Sequence, residues 1–328
     1  MPIFVLTHND ADGLSAAALL KRAFRRAGKV TRVRILRRGE NPWSNAVREE
    51  VMQSANAGLL VTDLGVRAEP INAETCTVFI DHHVPQGVPT GATVISGYGE
   101  QPTPTSSLLA WQCAGALADV DDLLWLAALG IIGDLGSKAS FDELATAKRR
   151  YSATALQQAT ALINASRRAS AGDARPAFDL LTKAGSPRDV ISGNHPETAI
   201  LRSAQLEVNA ALQTAKRVAP KIRNGVALIL FDSPCQVHPL IAQTWRVRLK
   251  GNIVIAANSG YRQGWVHFSA RSATGTNLVD FLRERAPEGA DENYGSGHEQ
   301  ATGGALRPDA WNEFVGKLGF GPEVRVVS

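Results

Sequence analysis

Apolar residues change their period several times along the chain. Residues 2–7 are a short apolar run. Residues 13–27 then repeat at helical spacing, with Leu14, Ala17, Ala18 and Leu20 on one face. Residues 30–36 alternate like a strand, 42–56 read as a helix, and 58–62 and 75–80 read as strands. Strands separated by helices predict βαβ units and hence a parallel sheet. Pro104-Thr105-Ser106-Ser107 is a helix-start signal, and the pattern stays mostly helical to about residue 150. Residues 151–195 mix Ala, Ser, Arg, Gly and Pro with helical stretches, and 196–219 predict a longer helix. Beyond it, 226–231, 253–257 and 266–270 predict strands, and 276–285 and 308–318 predict helices. The expected fold is α/β: a parallel-sheet domain over 1–150, a helical connector over 151–220, and a smaller α/β domain over 221–328.

Composition narrows the class. At roughly 150 residues per domain, 328 residues correspond to two domains. Hydrophobic residues at 44% and charged residues at 20% exclude fibrous and wholly disordered chains. The longest strongly apolar run, 123–132, is far short of the ~20 residues of a membrane helix. The opening MPIFVLTHND has no basic region, so neither a signal peptide nor a membrane partner is expected. Cys76, Cys113 and Cys235 are odd in number and far apart, which fits neither a disulfide framework nor a zinc ribbon. A cytoplasmic location is the simple expectation.

Charge divides the chain unevenly. Residues 1–160 carry 15 Lys/Arg against 16 Asp/Glu, and residues 161–328 carry 20 against 15. A half that holds cations and a half that holds an anion would have this balance, and chance would also produce it. Arginine outnumbers lysine 26 to 9, which suits phosphate but also follows from GC-rich coding.

The candidate chemistry gathers at the ends of the first-half strands. The first ends in Thr7-His8-Asn9-Asp10-Ala11-Asp12-Gly13, with His8, Asp10 and Asp12 at alternate positions. In extended chain such residues point the same way. Helix capping by Asp10 or Asp12 is the alternative reading. The strand LLVT ends in Asp63, and TVFI ends in Asp81-His82-His83. Leu129-Gly130-Ile131-Ile132-Gly133-Asp134 adds a carboxylate after an apolar helical segment. Ligands bind at the C-terminal ends of strands in open α/β sheets. Three such ends carrying Asp or His, with Asp134 as a fourth supplier, predict a metal site. His8, Asp10, Asp12, Asp63, His82 and Asp134 are four carboxylates and two imidazoles, a set that suits Mn²⁺. Six ligands are enough for two ions bridged by a carboxylate, the arrangement of two-metal phosphoryl hydrolysis.

With Asp81-His82-His83 after an apolar strand, HNDADG upstream and Gly133-Asp134 downstream, the sequence resembles the DHH phosphoesterase superfamily. Its members include RecJ-type exonucleases, nanoRNase-type oligoribonucleases, cyclic-dinucleotide phosphodiesterases and family II inorganic pyrophosphatases. Residues 266–304 resemble the DHH-associated C-terminal domain. Arg271 matches its strand arginine, and Gly295-Ser296-Gly297-His298-Glu299-Gln300-Ala301-Thr302-Gly303 matches its glycine-rich turn. Ser296 replaces a glycine, Thr302 an alanine, and 286–293 form an insertion before the turn.

The resemblance implies that His8 and Asp10 hold one metal, Asp12 and His82 the other, Asp63 bridges them and Asp134 completes a site. Asp81 would orient His82 from behind. His83 would face the scissile phosphate as catalytic acid. Arg271, Gly297 and His298 would bind substrate phosphate across an interdomain cleft. The implied cofactor is Mn²⁺, two per chain, with Mg²⁺ or Co²⁺ as alternatives. The implied partner is a short oligonucleotide or small nucleotide, and a homodimer is open.

The first motif is spaced His-x-Asp-x-Asp, shorter than the His-x-x-x-Asp-x-Asp of the pyrophosphatases and one nanoRNase type. The pyrophosphatase Lys/Arg-rich motif is not found, and 328 residues leave no room for the extra OB-type domain of RecJ. The expectation is therefore a Mn-dependent phosphodiesterase acting on short substrates. Alternatives are a pyrophosphate or polyphosphate hydrolase, a RecJ-like single-strand DNA exonuclease, and a non-catalytic nucleotide-binding sensor.

Other residues read as structural. His238 reads as a helix-cap or surface residue, His195 and His267 have no role, and Trp245 and Trp265 read as packing.

Overall fold

The computed structural model describes residues 1–290 and 294–327, without the side chains of Ser296 and His298. The chain forms two compact units.

The first unit comprises Met1–Arg167 and Ala171–Gln205. Its strands are β1 (Ile3–Thr7), β2 (Thr31–Ile35), β3 (Leu59–Thr62), β4 (Thr77–Asp81) and β5 (Thr93–Ser96), all parallel in the order β2-β1-β3-β4-β5. Two of the expected crossover helices exist: α1 (Ala11–Arg26) between β1 and β2, and α2 (Asn45–Gln53) between β2 and β3. The β3–β4 and β4–β5 connections contain no helix, and β5 is a short edge strand that the apolar pattern did not reveal. The strand order reverses direction between β1 and β3. Their C-terminal ends therefore flank the crevice where open α/β sheets bind ligands.

The rest of this unit is helical: α3 (Ser106–Gly115), α4 (Leu124–Leu135), α5 (Asp142–Tyr151), α6 (Ala153–Arg168), α7 (Arg175–Lys183), α8 (Pro187–Ser192) and the start of α9 (Pro196–Ala215). Much of the segment expected as a connector thus lies in this unit. α1 and α4 supply much of its core. Leu14, Ala17, Ala18 and Leu19 of α1 and Trp125, Leu126 and Leu129 of α4 are fully buried in one cluster. At about 25 cal/mol per Å² of apolar surface, this packing is what holds α4 against the sheet's helical layer.

One residue shows how tight that packing is. A Cβ on Gly130 of α4 would lie 2.0 Å from Ser107 Oγ and 2.3 Å from Asp12 Oδ1. Both neighbours belong to buried residues that make fixed hydrogen bonds. Gly130→Ala should therefore destabilise the chain by about 1–3 kcal/mol, the usual cost of overpacking, as read by chemical denaturation.

The second unit comprises Arg168–Ser170 and Leu206–Ser328. Its mixed sheet contains β6 (Lys221–Arg223), β7 (Val226–Phe231), β8 (Ile253–Arg262), β9 (Trp265–Ser272), β10 (Ser296–His298) and β11 (Ala301–Leu306), in the order β10-β11-β9-β8-β7-β6. β7 and β8 are parallel, connected through α10 (His238–Arg248); the other pairs are antiparallel. α11 (Leu278–Arg283) and α12 (Pro308–Lys317) complete the unit. Phe268 of β9 stacks on Phe314 and tilts against Trp311, both from α12. The glycine-rich segment expected as a turn is a hairpin, β10–β11. Gly297 has φ +130°, and a Cβ there would sit 2.8 Å from the Ala301 carbonyl, so only glycine fits the close approach.

Among the described residues, no helix is long and apolar enough to cross a membrane.

Candidate metal centre

β1 ends at Thr7, and the chain turns into α1 at Ala11. Asp10 is the N-cap of α1: its Oδ1 accepts the N–H groups of Asp12 and Gly13, both at 3.1 Å. Its Oδ2 lies 3.1 Å from His8 Nδ1. Capping and clustering are thus two uses of one carboxylate.

The early helix start corrects the expectation that His8, Asp10 and Asp12 point one way. Asp12 is already helical, so it diverges from the other two. His8 and Asp10 join Asp63, while Asp12 joins His82 and Asp134. In each triad the ligand atoms lie within 4.8 Å of one another, as they also do for Asp63, His82 and His83.

Asp63 follows β3 with φ +61°, a left-handed backbone that aspartate tolerates better than most residues. Its Oδ2 is 3.4 Å from His8 Nδ1. His8 after β1 and Asp63 after β3 therefore meet at the point where the strand order reverses. In the other triad, His82 Nδ1 is 3.5 Å from Asp12 Oδ2, and its Nε2 is 3.2 Å from Asp134 Oδ2.

Asp81 behaves differently from expectation. Its Oδ1 accepts the His83 N–H at 2.8 Å and faces His83 Nδ1 at 2.9 Å, while Oδ2 accepts the N–H groups of Leu64 and Gly65. Asp81 thus orients His83, not His82. The reason is the pleat, which sends residues 81 and 83 to one side and 82 to the other. His82 takes its contacts from Asp12, Asp134 and Ser106 instead.

Three contributors escaped sequence reasoning. Ser106 and Ser107, read only as a helix start, donate their backbone N–H groups to Asp12 Oδ2 and Oδ1 at 2.8 and 3.0 Å. Ser106 Oγ also donates to Asp63 Oδ1 at 3.1 Å. Arg167 of α6 lies 3.8 Å from Asp10 Oδ2. These partners are about 40 to 160 positions away in sequence, so no local pattern marks them.

The electrostatics fit a cation. Burial pushes the Asp63 carboxyl well above the usual carboxylate range, and the charges of Asp10, Asp12 and Asp134 push it further. Burial and then Asp12 and Asp10 raise Asp134 to about 7. Burial alone would lower the His82 pKa, but the hydrogen bond to Asp12 and the charges of Asp63, Asp12 and Asp134 raise it to about 10. Asp10 is the exception: against the effect of burial, His8, Arg167 and the Gly13 N–H hold it well below the usual range. Crowded carboxylates that resist ionisation, with imidazoles among them, form a donor set that divalent ions of the Mn²⁺ type satisfy.

In the second unit, Arg271 lies on β9, and its Nη1 donates to the Ala270 and Thr302 carbonyls at 2.9 and 3.3 Å. Burial and then the positive charge of Arg246 on α10 lower its pKa. Two guanidiniums close enough to disfavour each other form a place for an anion, and Arg246 is a residue the sequence reading missed. Gly297 lies in β10 beside this strand system, whereas the side chain of His298 lies outside the described residues, as do insertion positions 291–293.

The structural readings fared unevenly. His238 is the first residue of α10 but is buried, against Tyr261 and His267, and is neither a cap nor a surface group. Trp265 is flanked by Arg262 and Arg307, and Trp245 by Arg248.

No protein-family model matches the chain, and no curated protein sequence matches it. Solved structures do match. RecJ from Thermus thermophilus in complex with Mn²⁺ is 19% identical with a TM-score of 0.68, over 99% of this chain and 53% of that one. This chain therefore spans about half the length of that RecJ. The DHH domain of a protein described as a member of a family of ribosomal proteins is 15% identical with a TM-score of 0.69, over 99% of this chain and 87% of that one. The pGpG-specific phosphodiesterase PggH from Vibrio cholerae is 13% identical with a TM-score of 0.57, over 97% of both chains. The chain has the α/β fold of the DHH superfamily.

Proposed function

We propose that the chain is a metal-dependent phosphoesterase that hydrolyses short oligonucleotides or small nucleotides with two Mn²⁺ ions. The observation that carries this reading is the pair of triads, His8/Asp10/Asp63 and Asp12/His82/Asp134, at the ligand-binding edge of a sheet with the RecJ and PggH fold. The match to PggH over nearly the whole of both chains favours a substrate of dinucleotide size.

His8 and Asp10 would hold one ion, Asp12, His82 and Asp134 the other, and Asp63 would bridge them. The ions would supply Lewis acidity at phosphorus and a nucleophile at neutral pH. His83, held through Nδ1 by Asp81, would present Nε2 to the leaving oxygen and donate a proton there. Arg271, Arg246 and the Gly297–His298 backbone would hold a second substrate phosphate, the guanidiniums by bidentate hydrogen bonds.

Arg271→Ala should mainly raise KM for phosphate-ended dinucleotides and leave metal content intact. An unchanged KM together with lost metal would refute the assignment. A panel of di- to pentanucleotides, cyclic dinucleotides, phosphoadenosine phosphate and pyrophosphate, assayed with Mn²⁺, tests the function itself. Preference for pyrophosphate over every nucleotide diester would overturn it.

Metal affinity should also depend on pH in a defined way. Ligands must be deprotonated to bind. Between about pH 7 and 9, Asp134, at about 7, is ionised, whereas His82, at about 10, still carries a proton that the metal displaces. Log affinity for Mn²⁺ at that triad should therefore rise about one unit per pH unit and level off above about pH 10. Isothermal titration in several buffers reads both the slope and the released proton. A flat profile would contradict the ligand assignment.

A further inference from the structure

We infer that Ser106 is a positioning residue that ties the two triads together and fixes the rotation of Asp63; the inference rests on the two-metal reading above. Ser106 is fully buried at the start of α3. It touches members of both triads. Its Oγ donates to Asp63 Oδ1 at 3.1 Å, and its N–H donates to Asp12 Oδ2 at 2.8 Å and lies 3.2 Å from His82 Nδ1.

The hydroxyl has no other structural duty of the ordinary kind. The N-cap of α3 is Thr105, so Ser106 already sits inside the helix and its side chain is not a cap. A backbone N–H would reach Asp12 whatever residue stood at position 106. Only a hydroxyl reaches Asp63. A carboxylate can rotate about its last bond, and that rotation decides which oxygen faces which neighbour. With Oδ1 accepting from Ser106, Oδ2 is left facing His8 Nδ1 at 3.4 Å. Asp63 thus presents one oxygen toward the His8/Asp10 triad, while the other stays beside the residue that also contacts Asp12 and His82. Asp63 stands on a left-handed backbone, so its direction leaves the chain at a fixed angle and the hydroxyl sets the remaining freedom.

Groups that orient metal ligands from behind typically contribute 10–100-fold to metal affinity. The same factor is expected here, and it should fall on one of two binding steps, because the loss acts on the ligand shared between them. The test is a Mn²⁺ titration of the metal-stripped full chain, wild type against Ser106→Ala and Ser106→Thr, followed by calorimetry and electron paramagnetic resonance. Wild type should bind two ions and show the signal of an exchange-coupled pair. Ser106→Ala should weaken one step 10–100-fold and lose the coupled signal at stoichiometric Mn²⁺, with the melting temperature of the metal-free chain little changed. Ser106→Thr, which keeps a hydroxyl, should restore both. Two wild-type affinities and a retained coupled signal in Ser106→Ala would overturn the inference. So would a collapse of the metal-free melting temperature that threonine does not rescue, since Ser106 would then act in folding. A wild type that binds fewer than two ions would instead sink the two-metal reading.

Discussion

Asp63→Ala is expected to lose at least one metal ion and nearly all turnover while the fold persists. Replacing a group behind a metal ligand costs 10–100-fold, and removing a shared ligand should cost more than about 10². The residue stands where β1 and β3 diverge, and it groups with His8 and Asp10 on one side and with His82 and His83 on the other. Its carboxyl is raised well above the usual range, first by burial and then by Asp10, Asp12 and Asp134. The sign of the stability effect follows. A carboxyl with a raised folded pKa binds its proton more tightly in the native state, so its contribution falls as pH rises from the unfolded value toward the folded one. Without metal, Asp63→Ala should therefore melt no lower than wild type near neutral pH. With Mn²⁺ the order should reverse, because the ions stabilise only the chain that binds them. Elemental analysis and calorimetry, with chelator and with Mn²⁺, read both halves. Two metals per chain in the variant would mean that the ligand map is wrong.

His83→Ala should separate substrates by leaving group. Asp81 grips Nδ1 and is itself anchored by the Leu64 and Gly65 N–H groups, which fixes the ring and leaves Nε2 unclaimed by that pair. Burial would raise Asp81, but the hydrogen bond from His83, its charge, and the N–H groups of His83 and Gly65 bring the carboxyl below its ordinary value. It therefore stays ionised and supports an imidazolium beside it. A general acid contributes about 10² to 10⁴, so the variant should be crippled by that factor on alkyl-type diesters. It should spare a nitrophenyl ester, whose leaving group needs no proton. Equal loss on both would mean that His83 positions the phosphate and the acid lies elsewhere.

What the sequence disclosed about this site, and what it hid, follows from the range of the interactions involved. Short apolar runs ending in His8, Asp63 and Asp81-His82-His83 are local signals, and each marks the end of a parallel strand. The parallel order brings those ends to one edge without further information. The partition of the ligands was not readable, because it depends on α1 starting at Ala11, two residues earlier than the apolar face indicates. Nor was the role of Asp81, since the pleat pairs it with His83 and not with its neighbour. Ser106 and Arg167 reach the site from helices far along the chain, and a serine at a helix start resembles any other. In the second unit, glycines suggested a turn where the close spacing of β11 against β9 requires them in a strand. β5 has four residues on the sheet edge and is too short and too exposed to stand out.

The most direct measurement is hydrolysis of a dinucleotide by the metal-stripped chain as Mn²⁺ is returned, with bound metal counted in the same samples. A two-metal phosphoesterase should show no hydrolysis without metal and activity that rises to its plateau as the second ion per chain is bound. Hydrolysis that survives chelation, or two bound ions with no cleavage of any phosphodiester offered, would contradict it.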